Sequence, residues 1–237
     1  MPQSSRQIVE LLPGAAVGPQ IHRILRDRIV RGHLMPGARI SETELAAEYA
    51  VSRQPVREAF IKLAEENLLE IRPQRGTFVR RISLPAVLSA QFVREAVEAD
   101  IVRILAVAPS PELITRLEGL LQEQIATAND PDPTDFVVLD ESFHRAMAEA
   151  IGQAPAADIL EGLKIQLNRT RHLTARQFSR HKVIEQHSAI LDALRARDPD
   201  RASAMMRTHL QKILNDLPAI VEAMPECFDQ TTRKTSA

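Results

Sequence analysis

The sequence predicts a mainly α-helical protein, with an N-terminal winged helix-turn-helix carrying a small β-hairpin wing and a C-terminal antiparallel all-α bundle of about six helices. Three observations predict it. The hydrophobic content is 44% with only eight glycines, while aromatics are 3% and tryptophan is absent, a balance that suits a helical core better than a large β-sandwich. Residues 41–63 read as two short helices joined by a tight turn, the second with basic side chains at its start, which is how a helix is delivered into the major groove of DNA. Beyond Ala86 the apolar pattern is helical almost throughout.

Taken in order, residues 1–16 lack periodicity and contain Pro2, Pro13 and Gly14, a loose N-terminal arm. The first domain is placed at 17–81. Ile21, Ile24, Leu25 and Ile29 fall on one face of its first helix, which Gly32 stops before a turn at Met35-Pro36-Gly37. Ser41 and Glu44 form a capping box for a helix over about 42–49. Ser52 caps the next, from Arg53 to about Asn67, with Pro55 in its first turn and Val56, Ala59, Phe60 and Leu63 as its buried stripe. Leu68–Arg72 and Thr77–Arg80 flank a turn at Pro73–Gly76 and read as a hairpin. Residues 82–87 are expected to be a linker, 88–222 the helical bundle and 223–237 a loose tail. Breaks at 109–111, 129–133, 152–155, about 177–180 and 198–199 divide the bundle into its helices.

At 237 residues, two domains fit the length. The net charge of −1 hides an asymmetry: residues 1–81 carry 13 Lys/Arg against 9 Asp/Glu, and the remainder 17 against 22. A basic unit joined to an acidic one suits a nucleic-acid module fused to something else. The single cysteine, Cys227, leaves no disulfide framework and favours the reducing cytoplasm. No apolar run approaches the ~18 residues of a membrane span, and the N-terminus lacks a signal-peptide core.

Arg53, Gln54 and Arg57 sit at the start of the second helix of the motif, off its apolar stripe. Helix N-termini favour phosphate, and arginine pairs bidentately with guanine. Arg75 and Thr77 flank Gly76 at the hairpin tip, where the missing Cβ lets backbone approach DNA. Val51-Ser-Arg-Gln-Pro-Val-Arg-Glu-Ala59, with Leu63 and the Arg75-Gly-Thr-Phe-Val79 wing, resembles the N-terminal domain of GntR-family transcription regulators over about 21–79. The resemblance implies that Arg53 and Arg57 contact the operator and that the tip near Gly76 enters the minor groove. Many relatives carry arginine where this chain has Thr43, which implies a different operator or a weaker contact there.

In the C-terminal half, Asp140 and His144 are four residues apart and share a helical face. His187 and His209 lie on two further predicted helices that the Asp198-Pro199 turn lets run antiparallel, so a bundle interior can gather all four. Imidazole plus carboxylate suits zinc, nickel, cobalt, manganese or iron; ordinary core or surface polar residues are the plain alternative. Leu139-Asp-Glu-Ser-Phe-His144, Glu185-Gln-His187 and Arg207-Thr-His209-Leu resemble the sensor domain of the FCD branch of the same family, over about 88–220. That resemblance implies a divalent transition metal, zinc foremost, held by Asp140, His144, His187 and His209. It also implies a small carboxylate effector at or beside the metal, and Arg94 matches a position that often faces the cavity. Asn168 and Arg169 lie on a helix able to line the same pocket, with a solvated face as the plainer expectation for Arg169.

The expected protein is therefore a cytoplasmic, dimeric repressor, not an enzyme, that binds a pseudo-palindromic double-stranded operator and is released by a carboxylic acid. A regulator whose metal-free bundle serves only dimerisation fits the same residues. So does a helical metalloenzyme using Glu141 or Glu185 as a base.

Overall fold

The computed structural model describes residues 11–174 and 179–229. The expected arm up to residue 10, part of the break near 177–180 and the tail from 230 lie outside the described residues. The chain divides into two compact units: one of residues up to Ile82 together with Glu226–Asp229, the other beginning at Ser83 and running to Pro225.

The first unit contains α1 (Val17–Val30), β1 (Arg39–Ile40), α2 (Glu42–Glu48), α3 (Arg53–Glu65), β2 (Leu69–Arg72) and β3 (Gly76–Val79). The α1 stripe of Ile21, Ile24, Leu25 and Ile29 is buried against α3, whose Val56, Ala59, Phe60 and Leu63 are buried in turn. Residues 11–16 are not entirely loose, because the Gln20 side chain accepts from the Leu12 amide at 2.7 Å and donates to the Leu12 and Ala15 carbonyls. The turn after α1 closes through Ala38 N–H to Met35 O, with Pro36 second and Gly37 third at φ 84°, the order a type II turn requires. Ser41 caps α2 by accepting from the Glu44 amide. Ser52 occupies the N-cap position of α3, but its hydroxyl makes no capping bond; it remains exposed. Ala50, at φ 52°, reverses the chain between the two helices.

The wing is a three-stranded antiparallel sheet of order β1-β3-β2, not a bare hairpin. β1 has only two residues and no alternating pattern to announce it, and it pairs Ile40 with Thr77 and Arg39 with Phe78. On the other side Leu69 pairs with Val79 and Arg72 with Gly76. The tip turn holds Gln74 at φ 61° and Gly76 at φ 102°, and a Cβ on Gly76 would lie 2.9 Å from the Arg39 Nε.

The boundary between the units falls within the expected linker, 82–87, but its residues are in defined structure. Ile82 is fully buried and forms a parallel bridge to Phe228, and α4 (Leu84–Val107) begins two residues later. Ser83 caps it and Pro85 sits in its first turn, where no intrahelical donor is lost. The expected loose tail is also ordered in its first part. A single 3-10 turn spans Pro225–Cys227, Cys227 and Phe228 are buried, and Ile82 exchanges bonds with Cys227 and Asp229.

The second unit holds seven helices among the described residues, one more than expected. After α4 come α5 (Pro111–Thr127), α6 (Thr134–Ala150), α7 (Ala154–Leu163), α8 (Ile165–Thr174), α9 (Arg180–Arg195) and α10 (Pro199–Ala223). The breaks carry their own start signals. Ser110, Ser179 and Asp198 cap α5, α9 and α10 through Leu113, Lys182 and Arg201 amides, and prolines occupy the first turns of α5, α7 and α10. The extra break is at Lys164, two residues past Gly162; its buried ammonium bonds Glu161 at 2.7 Å and Glu141. α10 packs along α4 and α9, and α5 packs against α6 and α9. Leu105, Leu117, Phe143, Met147, Leu194 and Met206 belong to the continuous core between them. No helix among the described residues is long and apolar enough to cross a membrane.

Phe60 is 1% exposed between α1 and α3. Phe60→Ala is expected to destabilise the first unit by about 3–5 kcal/mol. In hydrogen exchange, amides of α1–α3 should lose protection while those of α5, α6 and α9 keep it; equal loss in both would mean that the two units unfold together.

Candidate functional site

The exposed start of α3 carries Arg53, Gln54 and Arg57, all outside its apolar stripe. Arg53 leans on Glu42 of α2 at 3.2 Å yet keeps 67% of its side chain exposed, and Gln54 donates to Glu58 at 2.9 Å. Arg57 makes no ion pair among the described residues. Thr43, on α2, and Arg75, at the wing tip, are exposed as well. Thr77 is different: it is 8% exposed in the central strand, bonded on both sides. Its backbone is spent on the sheet, and little of its side chain reaches the surface. Arg39 was not foreseen; its guanidinium lies against Gly76 and adds charge at the tip.

In the second unit, α6 contributes Asp140 and His144, α9 His187 and α10 His209, and one ligand atom from each lies within 4.8 Å of all the others. The sequence-expected four are thus brought together. His144 Nε2 is 3.1 Å and His187 Nε2 3.3 Å from His209 Nε2. Asp140 Oδ2 is 3.9 Å from His144 Nε2, and its Oδ1 is 3.7 Å from His187 Nε2. All four are buried, and the Phe143 ring stacks on His187 at 4.2 Å between centroids.

The other ring nitrogens explain the orientation. His187 Nδ1 donates to Gln124 Oε1 at 2.8 Å and His209 Nδ1 to Gln186 Oε1 at 3.1 Å, while His144 Nδ1 lies 2.8 Å from Glu98 Oε2. With acceptors on the outer side, each Nδ1 carries the proton and each Nε2 presents a lone pair inward. Three lone pairs facing one another at such distances repel unless a cation lies among them. Zinc–nitrogen bonds of about 2.0–2.1 Å at tetrahedral angles put ligand nitrogens about 3.3 Å apart, so donor set and spacing both fit a divalent transition metal. Outer partners that fix tautomer and ring orientation are what metal-binding imidazoles need.

Electrostatics keep the donors in ligating form. Burial pushes the His187 imidazolium down to about 3, although Asp140 opposes the shift, and burial likewise holds His209 well below its ordinary value, helped by His187 and His144. For Asp140, burial favours protonation, but Arg171 and the three imidazoles outweigh it and keep the group well below the usual carboxylate range. Glu141 stands against the same burial and is brought to about 2 by Arg171 and Lys164.

A cavity of about 90 Å3 opens beside the cluster, reaching Asp140 and His209. Arg94 lines it, 3% exposed, with Nε donating to Glu98 at 2.8 Å and Nη2 buried without a partner. Arg171, which ion-pairs with Asp140 and Glu141, lines it too and was missed. Asn168 does not reach this cavity. The break at Lys164 sets the phase of α8 so that Lys164 and Arg171, seven residues apart, face α6 instead. Arg169, expected on a solvated face, is 1% exposed and donates to Gln166. Glu141 is locked between Arg171 and Lys164, and Glu185 is exposed, so neither has the setting of a general base.

Comparison with known proteins places both halves. Residues 18–79 match the bacterial regulatory proteins of the gntR family, and residues 91–212 match the FCD domain. The chain belongs to the GntR family. It is 36% identical over 222 residues to the HTH-type transcriptional repressor RspR of Escherichia coli K12, covering 93% of this chain and 97% of that one. A solved GntR transcriptional regulator from Rhodococcus sp. RHA1 superposes with TM-score 0.70 at 28% identity, covering 87% of this chain and 98% of that one. Escherichia coli McbR/YncC gives TM-score 0.71 at 20% identity over 88% of this chain and 99% of that chain, a likeness of fold. The protein is a GntR-family transcription regulator with an FCD domain and not an enzyme, and regulators of this family bind DNA operators.

Because His187 and His209 lose basicity on folding, the unfolded chain binds more protons as pH falls below about 6.5, and stability falls with it. For His187 the loss runs from 6.5 down to about 3. Metal-free protein should therefore melt at progressively lower temperature between about pH 6.5 and 4.5, before the carboxylates titrate. His187→Leu should flatten that slope; an unchanged slope would mean that another group carries it.

Proposed function

We propose that this GntR regulator is a dimeric, metal-dependent repressor of the cytoplasm that leaves its operator when a small carboxylic acid enters the helical unit. The observation that carries the reading is the inward convergence of three imidazole lone pairs and the Asp140 carboxylate beside a cavity lined by Arg94. Asp140, His144, His187 and His209 would hold a divalent ion, zinc first among those the donors suit. The ion supplies a positive charge on which an anionic oxygen can rest. Arg94 adds a guanidinium whose Nη2 has no partner, and arginine holds a carboxylate at two points.

DNA contact is assigned to Arg53, Gln54, Arg57 and Thr43 on the helix-turn-helix and to Arg75 and Gly76 at the wing. Arg57, exposed and outside any ion pair among the described residues, is the residue most able to reach a base edge. A second copy is supported by α4, where Leu88, Phe92, Ile104 and Val107 are half or more exposed, more apolar surface than one helix usually leaves to water. Two copies would read the two half-sites of a pseudo-palindrome. The acid lowers operator affinity by the amount that it prefers the released arrangement.

His187→Ala combined with His209→Ala is expected to abolish bound metal, read by elemental analysis, and the response to acid, while operator binding persists. Full metal occupancy in that variant would remove these ligands from the site. Arg57→Ala should weaken operator binding by about 1–3 kcal/mol in a gel-shift titration without altering the bundle; unchanged affinity would take Arg57 out of the DNA face.

A further inference from the structure

The cavity beside the cluster carries a second cationic handle. Arg180, the first residue of α9, lines it and donates to backbone carbonyls, Thr127 O at 3.1 Å and Asp130 O at 2.7 Å. Its charge has no carboxylate partner among the described residues. The helix N-terminus it occupies adds partial positive charge of the same sign. The other cations of the cavity are spoken for: Arg94 by Glu98, Arg171 by Asp140 and Glu141, and Lys212 by Asp216 at 2.8 Å. Lys164 and Glu161 cancel behind Glu141. With a divalent ion in place, four side-chain cations and the ion face four carboxylates, Glu98, Asp140, Glu141 and Asp216, which leaves a surplus of two positive charges. A monoanion balances half of that surplus and a dianion all of it.

Size and lining narrow the ligand further. A water needs about 10–15 Å3 of such space, so the cavity of about 90 Å3 takes about six to nine non-hydrogen atoms. Apart from its charged residues, His209 and Gln186, the wall is apolar, formed by Phe136, Val137, Val183, Leu210 and Ile213, which suits methylene groups and offers few partners to a chain of hydroxyls.

We propose that the cavity selects a short α,ω-dicarboxylate of about four or five carbons, one carboxylate at Arg94 and the metal and the other at Arg180. This rests on the carboxylate-effector reading and adds to it a ligand charge and a specificity-determining residue. Two carboxylates held by separate arginines discriminate against a ligand lacking one, because Arg180 then keeps its charge without a counter-charge.

The test is calorimetric titration of the full-length, zinc-loaded protein with butanedioate and pentanedioate against butanoate and pentanoate. The diacids are expected to bind about tenfold or more tighter than the monoacids of equal length. Arg180→Gln should bring the diacids down to monoacid affinity with metal content unchanged, and Arg180→Lys, which keeps the charge, should restore part of the preference. Equal binding of mono- and diacids by the unaltered protein would overturn the proposal and leave the carboxylate-effector reading standing. A preference that survives Arg180→Gln would also overturn it. If neither class binds with or without chelator, both readings fall.

Discussion

Three imidazoles, each anchored outward through Nδ1, turn their Nε2 lone pairs toward one another inside the helical unit, and the arrangement of that unit follows from them. His144, His187 and His209 come from α6, α9 and α10, so the cluster ties together three helices remote in sequence. Their outer partners bring in two more elements, Glu98 from α4 and Gln124 from α5. Buried polar groups must be paired to be tolerated, and here the pairing dictates the rotation of five helices about their axes.

Around the donors lies a ring of charge in which each member depends on the next. Arg171 binds Asp140 and Glu141, Lys164 binds Glu141 and Glu161, and Arg94 binds Glu98. Opposite charges packed this closely are costly to break one at a time. A ligand that draws on Arg94 or Arg171 therefore acts on α4, α6 and α8 together. The α7–α8 break at Lys164 is part of the same ring, since the buried ammonium that ends α7 is held by carboxylates on both sides.

The DNA-binding unit divides its labour along α3. Val56, Ala59, Phe60 and Leu63 hold the helix to α1, which leaves Arg53, Gln54 and Arg57 outside. Ser52, free of capping duty, adds an exposed hydroxyl at the helix start. At the wing, Gly76 adopts a backbone angle that disfavours any side chain and leaves room for the Arg39 guanidinium. The segment Glu226–Asp229 completes this unit by covering Ile82, so residues late in the chain support its N-terminal part.

Local signals were enough to reveal the helix-turn-helix, the two units and the four clustered donors. Caps, turns and the i, i+4 pair Asp140/His144 are short-range patterns, and the resemblance to GntR and FCD domains rested on contiguous motifs. What stayed hidden depends on partners distant in the chain. β1 is too short to show alternation and exists only because β3 offers it a ladder, which also buries Thr77. Arg171, and not Asn168, faces the cavity because the break at Lys164, whose ammonium is buried against carboxylates of other turns, sets the phase of α8. Gln124 and Gln186 carry no signal in sequence and become hydrogen-bond acceptors for imidazoles only when the bundle closes. The sequence by itself determined most of the helices and which side chains can donate to a metal, because hydrogen bonding and periodicity within a segment decide those. Only the tertiary structure decided which way each polar side chain points, because burial makes an unpaired group costly and the pairing must be satisfied from other helices.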